Sequence, residues 1–303
     1  MSMPGGLDGL DQRGGPDQRV VQVTGEVLSV KRTGAYHHLT LVAPGVAERF
    51  RPGTFISLAV GGPLSGRLLR RAFPVHRVRA TGAYGGTVEV VFAAVDEGRA
   101  WLAGAPAGTP IDVIGPLGRP FALPKEPVTC LLVGEGCASA PLFSLAERLR
   151  ERGCIVHMVL GGATEAHLFG VLEARRATRG VSVATADGSV GTAGGVIDVL
   201  PALLTRTEAD VVYAGGPTDV LHAVAAAAEA HGAWSQTAVE VDMPCGTGLC
   251  LGCVLPVVGE DGVTRLVRAC AEGPVFRGDR VRWGDVGTLP ADAWGASAMD
   301  QHP

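Results

Sequence analysis

Lysine is almost missing from this 303-residue chain: of its 26 basic residues, only Lys31 and Lys125 are not arginine. With 30 acidic residues the formal net charge is −4, and the pI is about 6.1. Nucleic-acid binders and polybasic membrane binders concentrate positive charge, so neither is expected. Long apolar runs are missing too. None reaches the ~18 residues that a membrane span needs. The opening stretch, MSMPGGLDGLDQRGGPDQR, has no apolar segment of the kind a secretory signal carries. A cytoplasmic location is expected. Charged residues make up only 18% of the chain against 47% hydrophobic, enough to bury a core and too little charge for a disordered protein. At ~150 residues per domain, the length suggests two.

What is present begins with the cysteines. Cys130, Cys137 and Cys154 are scattered among apolar neighbours and read as core thiols. Cys245, Cys250, Cys253 and Cys270 fall within 26 residues. A disulfide scaffold would be small and cysteine-dense throughout, so clustered cysteines in a large chain point to metal ligation in a reducing compartment. Their pattern, C-x4-C-x2-C with a fourth cysteine downstream, is the plant-type spacing for a [2Fe–2S] cluster. Gly246, Gly248 and Gly252 let the backbone approach such a cluster and aim N–H groups at it. The fourth ligand comes from the end of GVTRLVRAC, expected to be a strand. A structural zinc site is the alternative, but zinc favours paired C-x2-C knuckles and only Cys250 and Cys253 form one.

Residues 1–19 carry little to bury and read as a flexible arm. Over 20–122, short β-branched segments punctuated by Gly and Pro suggest an antiparallel barrel, with a short helix in DEGRAWLAGA. From 127 to 234, apolar strands alternate with helical segments, including HLFGVLEARRATRG, as in a parallel sheet covered on both faces. Residues 235–286 read as loop-like and cysteine-bearing, and 287–303 as a loose tail.

Two glycine turns follow apolar strands, Gly134-Glu135-Gly136 and Gly215-Gly216-Pro217. Such turns put backbone N–H groups beside a phosphate, although the full G-x-G-x-x-G fingerprint is absent. No arginine follows the second strand at 161–165, and Glu165 could accept from a ribose hydroxyl, which favours NAD over NADP. In the barrel, Arg70 and Arg71 open a strand, where a guanidinium suits a pyrophosphate.

Several strings carry a resemblance: LLRR at 68–71, GPLG at 115–118, DGSVG at 187–191, GGP at 215–217, the E-x-x-M-x-C of Glu240 to Cys245, and CAEGPVF at 270–276. With the cysteine spacing, their order resembles ferredoxin–NADP reductase-like flavoproteins. More narrowly it resembles the electron-transfer subunits of NAD-dependent (class 1B) dihydroorotate dehydrogenases. The resemblance implies FAD on the barrel, held at Arg71, Ala72, Phe73 and Pro74, at Val91, Phe92 and Ala93, and at Gly98 and Arg99. It implies NAD(H) at Gly134, Gly136, Gly215, Gly216 and Pro217, and a [2Fe–2S] cluster on Cys245, Cys250, Cys253 and Cys270. It also implies an FMN-containing dihydroorotate dehydrogenase catalytic subunit as heteromeric partner, in pyrimidine biosynthesis. Two motifs depart from the family pattern. Pro74 stands in place of a serine, and the family's G-x-G-T turn falls on Asp96-Glu97-Gly98-Arg99, of which Gly98 is kept. The alternatives are a reductase subunit serving another acceptor and a zinc-stapled nucleotide-binding regulator without redox chemistry.

Overall fold

The computed structural model describes residues 19–62, 64–82 and 85–296. The expected arm therefore lies outside the described residues except for Arg19, as does the tail from 297.

The first half is a closed barrel of strands β1 (Val21–Thr33), β2 (Tyr36–Val42), β3 (Phe55–Leu58), β4 (Arg71–Arg79), β5 (Thr87–Phe92) and β6 (Pro110–Leu117), with helix α1 (Glu97–Ala103) between the last two. The strands pair antiparallel in the order β1-β2-β5-β4-β3-β6, which leaves no free edge. Leu39, Leu41, Ile56, Phe73, Val90 and Val113 are buried in its core. A bulge in β4 between Val75 and Arg77 interrupts the pairing with β5. Val75 belongs to the barrel core, whereas His76, also buried, turns toward the second half.

The second half runs β7 (Thr129–Glu135), α2 (Ala140–Glu151), β8 (Ile155–Gly162), α3 (Val171–Ala177), β9 (Gly180–Thr185), β10 (Thr192–Ala193), α4 (Val196–Thr207), β11 (Val211–Gly216), α5 (Thr218–His231) and β12 (Trp234–Val239). A hairpin of β13 (Val254–Val258) and β14 (Thr264–Arg268) follows, then α6 (Ala269–Glu272) and β15 (Val275–Arg277). The large sheet has the order β10-β9-β8-β7-β11-β12-β15, parallel except for β15. Period-two alternation feeds both faces: Leu131 and Val133 of β7 pack with α4 and α5, while Cys130 and Leu132 pack with α2 and α3. Among the described residues, no helix is long and apolar enough to cross a membrane.

The barrel seats on α2 through His76. Its Nδ1–H donates to the Ala140 carbonyl at 2.9 Å, and its ring meets Phe143 and Phe169 edge-on, with centroids at 5.3 and 5.2 Å. Arg77 extends the seam by pairing with Glu147 and Glu173 at 2.7 and 2.8 Å.

Three expectations need correction. The helix expected over HLFGVLEARRATRG begins only at Val171, because Gly170 is left-handed (φ 72°) and Phe169 is drawn into the aromatic cluster. The chain from Ser235 is not loop-like at first. Ser235, Gln236 and Thr237 are buried inside β12, a sheet strand whose polar side chains hid it. The loose tail does not start at Gly287. Ala293 and Ala296 are buried, the Trp294 N–H donates to the Thr264 carbonyl at 2.8 Å, and Asp292 pairs with Arg282 at 2.5 Å.

Buried polar groups must be paired, and Gln236 meets that requirement across the two halves. Its Nε2 donates to the Ala122 carbonyl at 2.8 Å, and its Oε1 accepts the Ala122 N–H at 2.9 Å. Replacing Gln236 with Ala orphans a buried N–H and opens a void. It is expected to destabilise the protein by about 1–3 kcal/mol, read as a lower urea midpoint at unchanged slope.

Candidate functional site

Between the barrel and the sheet lies a cleft of about 330 Å³, within the range of small-molecule sites. Ala72, Phe73 and Pro74 of β4 and Val91 and Phe92 of β5 form one side, with Ala93 and Arg99 beside them. The opposite side is Cys137 from the β7–α2 connection, Pro141 in the first turn of α2, and Glu240 to Met243 after β12. Phe73 and Phe92 meet edge-to-face at 5.2 Å, and the Arg99 guanidinium lies 5.6 Å over the Phe73 ring. The walls suit a flat aromatic ring system. Cys137, expected to be a core thiol, is half-buried and lines the cleft, where burial pushes it up to about 11. Glu240 is exposed at the edge of the cleft, and the packed protein around its carboxyl raises it above the ordinary range, with Arg99 opposing. Neither group stood out in the sequence as part of this cleft. Only their place at the ends of β7 and β12 puts them there.

A second cavity of about 330 Å³ shares Ala72, Arg99 and Val241 to Met243 with the first, and adds Leu69, Arg70, Arg71 and Asp96. It is the cationic end of the site. Arg70 is committed elsewhere: its Nη2 donates to the Ser57 carbonyl, the Asp112 carbonyl and Asp112 Oδ1 at 3.0, 2.7 and 2.6 Å. Arg71 Nε donates to Asp96 Oδ1 at 3.0 Å, and Arg99 Nη1 to Asp96 Oδ2 at 2.6 Å. Asp96 also caps α1, accepting from the amides of Gly98 and Arg99 at 2.8 and 3.1 Å. Burial pushes its carboxyl up, but the Arg99 amide and the Arg99 and Arg71 guanidiniums outweigh this and hold it at about 2. Gly98 itself is buried beneath the cap.

The two glycine turns come together. Gly134 and Gly215 are partners across β7 and β11, at the carboxyl ends of adjacent parallel strands, where open α/β sheets bind ligands. Packing already requires both glycines: a Cβ on Gly134 would lie 2.5 Å from Ser139 Cβ, and one on Gly215 2.4 Å from the Ala138 carbonyl oxygen. Gly136 is left-handed (φ 57°) below Tyr36. Gly216 ends β11, and Pro217 precedes α5. Glu165 meets the DGSVG segment, its N–H donating to Ser189 Oγ at 2.9 Å.

The four clustered cysteines also converge. Cys245, Cys250 and Cys253 sit on the loop before β13, while Cys270 lies in α6, two residues beyond the end of the strand expected to carry it. Each sulfur accepts one backbone N–H: Cys245 from Thr247 at 3.4 Å, Cys250 from Gly252 at 3.4 Å, Cys253 from Cys270 at 3.5 Å and Cys270 from Gly248 at 3.1 Å. Gly246 and Gly248 are left-handed (φ 68° and 83°), which turns the loop back on itself. Arg268 clamps it, donating from Nη1 to the Gly248 carbonyl at 3.0 Å while its Nη2 pairs with Glu272 at 2.6 Å. Burial raises the Cys245 thiol, but contacts with Cys250 and Thr247 bring it down to about 6, whereas burial and the Cys253 thiol push Cys270 up to about 12. Four sulfurs, each with an amide donor, fit a thiolate-held iron–sulfur cluster. Leu249 and Leu251 on the same loop are 85% and 61% exposed.

The profile of the iron–sulfur cluster binding domain of dihydroorotate dehydrogenase B matches residues 240–282. The electron transfer subunit of dihydroorotate dehydrogenase B (NAD+) from Bacillus caldolyticus is 37% identical over 262 residues, covering 86% of this chain and 96% of the relative. Its counterpart from Fusobacterium nucleatum is 34% identical over 238 residues, covering 76% and 86%. Among solved structures, that of an NADH-dependent reduced ferredoxin-NADP oxidoreductase aligns with a TM-score of 0.75 at 27% identity, covering 91% of this chain and 96% of the other. A ferredoxin NADP+ reductase from Neisseria gonorrhoeae, solved with bound FAD and NADP, shares the fold at a TM-score of 0.55 and 14% identity, covering 74% and 95%. Because the likeness runs through barrel, sheet and cysteine loop alike, the chain belongs to the family of electron transfer subunits of dihydroorotate dehydrogenase B.

Proposed function

We propose that this protein relays electrons between a partner's flavin and NAD(H), with FAD in the barrel–sheet cleft, a [2Fe–2S] cluster on Cys245, Cys250, Cys253 and Cys270, and the nicotinamide dinucleotide at the carboxyl ends of β7 and β11. The observation that carries this is adjacency. Glu240 to Met243 form a wall of the cleft, and the same backbone runs directly into Cys245. Phe55 lines the cleft too, and a Cβ on Gly246 would lie 3.5 Å from its ring. The cysteine loop and the cleft are thus separated by little more than one aromatic side chain.

When bound, FAD would exchange a hydride with NAD(H) and single electrons with the cluster. The chain's own residues do the rest. Phe73, Phe92 and Val91 exclude water from the ring. The amides of Thr247, Gly248, Gly252 and Cys270 stabilise added charge on the sulfurs. The thiols of Cys245 and Cys250 interact with each other, as do those of Cys253 and Cys270, and the four sulfurs together would hold the cluster. No acid–base group is required for this relay.

Cys250 and its two flanking leucines face outward. This supports docking of an FMN-bearing subunit that oxidises dihydroorotate, with the cluster nearest the contact. Electrons from dihydroorotate would enter at the cluster and leave on NAD+.

The test is co-expression with such a catalytic subunit and assay of dihydroorotate-dependent NAD+ reduction. Co-purification with turnover supports the proposal. Fully cofactor-loaded protein that neither co-purifies nor reduces NAD+ assigns it to another acceptor. Changing Cys250 to Ser is expected to remove most of the iron and the iron–sulfur absorbance while flavin absorbance stays, and stoichiometric zinc without iron or sulfide in anaerobically prepared protein would overturn the cluster assignment. Replacing Leu249 and Leu251 together with Glu is expected to weaken subunit association at least tenfold, measured by sedimentation, with cluster and flavin content unchanged.

A further inference from the structure

The barrel face that meets α2 and α3 carries a group of side chains that the electron relay does not use. His38 of β2, Glu89 of β5 and His76 of β4 share one patch there, while their strand neighbours Leu39, Val90 and Val75 fill the barrel core. One ring nitrogen from each histidine and one Glu89 oxygen all lie within 4.8 Å of one another. His38 Nε2 is 2.9 Å from Glu89 Oε2. Glu173 of α3 closes the group from the other half of the molecule, its Oε1 3.5 Å from His76 Nε2. Donors bound tetrahedrally to one zinc ion at ~2.0–2.1 Å stand about 3.4 Å apart, so small side-chain rotations bring these four onto a common ion.

His76 sets the chemistry. Its side chain is only 2% exposed, and Nδ1–H is fixed on the Ala140 carbonyl at 2.9 Å. A neutral imidazole held in this way presents its Nε2 lone pair, as metal-binding histidines do. That lone pair faces the Glu173 carboxylate. Glu173 Oε1 is buried without a well-formed hydrogen bond, although Arg77 pairs with it at 2.8 Å. A positive centre between Nε2 and Oε1 removes the conflict. A proton or a metal ion satisfies that need, and the second imidazole and second carboxylate beside them favour the metal. Both carboxyls are held below their ordinary range. The His38 hydrogen bond does this for Glu89; for Glu173 burial pushes upward, but His76 and Arg77 outweigh it. Arg77 has Glu147 as another partner at 2.7 Å, which frees Glu173 to turn to an ion.

We propose that His38, His76, Glu89 and Glu173 form a binding site for a divalent transition-metal ion, with zinc the best match to two imidazoles and two carboxylates. The ion would staple the barrel to α3. In the bound form the His38 proton resides on Nδ1, leaving Nε2 to the metal. Part-exposed His38 and Glu173 give the ion a way in from solvent. Zinc carries no electrons, so the site stands apart from the relay and does not depend on it.

The test uses the full-length chain as purified, treated with EDTA, desalted and titrated calorimetrically with zinc chloride. One equivalent should bind with the visible spectrum unchanged, and the thermal midpoint should rise. His38→Gln and Glu89→Gln alter part-exposed positions and leave buried His76 in place. Each should weaken zinc binding more than about tenfold, since even losing an outer-shell partner costs that much, and each should remove most of the rise in midpoint. Zinc-edge X-ray absorption should show nitrogen and oxygen ligands with imidazole scattering. No zinc uptake by the parent overturns the proposal, as does equal uptake by parent and both variants. Sulfur in the zinc coordination shell places the ion on the cysteines and overturns it too.

Discussion

Two hydrogen bonds between one buried side chain and the backbone of one residue set the geometry on which the site depends. Gln236 belongs to β12, and Ala122 lies where the chain leaves the barrel. The Ala122 carbonyl also accepts from Tyr213 Oη at 3.0 Å, and Phe121 meets the Tyr213 ring edge-on at 5.6 Å. The barrel exit is therefore fixed to the middle of the sheet. On one side of that junction β4 and β5 present the walls of the cleft. On the other, β12 leads into Glu240 to Met243 and on to Cys245. A cleft between two independently packed cores has no shape of its own. It acquires one only if something ties the cores in register, and a fully satisfied buried amide is directional enough to do so where apolar contact is not.

The cysteine centre follows a different rule. Four thiols in a small volume are unfavourable as charges, so the loop must supply donors at close range. It does so with backbone N–H groups rather than cations, which is why glycine recurs there: left-handed Gly246 and Gly248 reverse the chain so that successive amides face inward. Arg268 serves this arrangement without touching a sulfur, by holding the Gly248 carbonyl to the segment that carries Cys270. The hairpin of β13 and β14 spans the gap between Cys253 and Cys270, and the Ala269 N–H returns to the Cys253 carbonyl at 2.9 Å. The long spacing between the third and fourth cysteines is thus closed by a strand pair.

Local pattern made much of this legible in advance. The barrel strands alternate, the parallel strands are continuous apolar runs, and the cysteine spacing is specific enough to stand without structure. Ala72 to Pro74 and Val91 to Ala93, which the family resemblance implied for FAD, line the cleft between barrel and sheet. What stayed hidden was non-local. Ser235, Gln236 and Thr237 look like loop residues, because nothing in sequence reveals that a polar strand has partners on a distant turn. Cys137 looked like a core thiol until the sheet placed it at the cleft. Gly134 and Gly215 looked like phosphate-loop glycines, yet the turn at 136–139 lies so close across them that packing alone demands them. Asp96 was visible only as a departure from a motif. Its commitment to two arginines needs coordinates.

The exposed leucines decide what kind of surface surrounds the cysteine loop. Leu251 holds a left-handed backbone (φ 56°) that a side chain enters only at a cost of about 1–3 kcal/mol. A glycine there would relieve the strain, and the loop uses glycine freely at 246, 248 and 252. Solvent offers no compensation, since Leu251 is 61% exposed and Leu249 85% exposed. Neither packs inward on the core that holds Cys253 and Cys270. Val254, 39% exposed, continues the apolar character into β13. The left-handed turn brings the Gly252 N–H onto Cys250 Sγ at 3.4 Å, while the leucine side chain itself stays exposed. A partner surface that buries both leucines would recover their transfer free energy, exclude water from the neighbourhood of Cys250 and shorten the gap an electron has to cross.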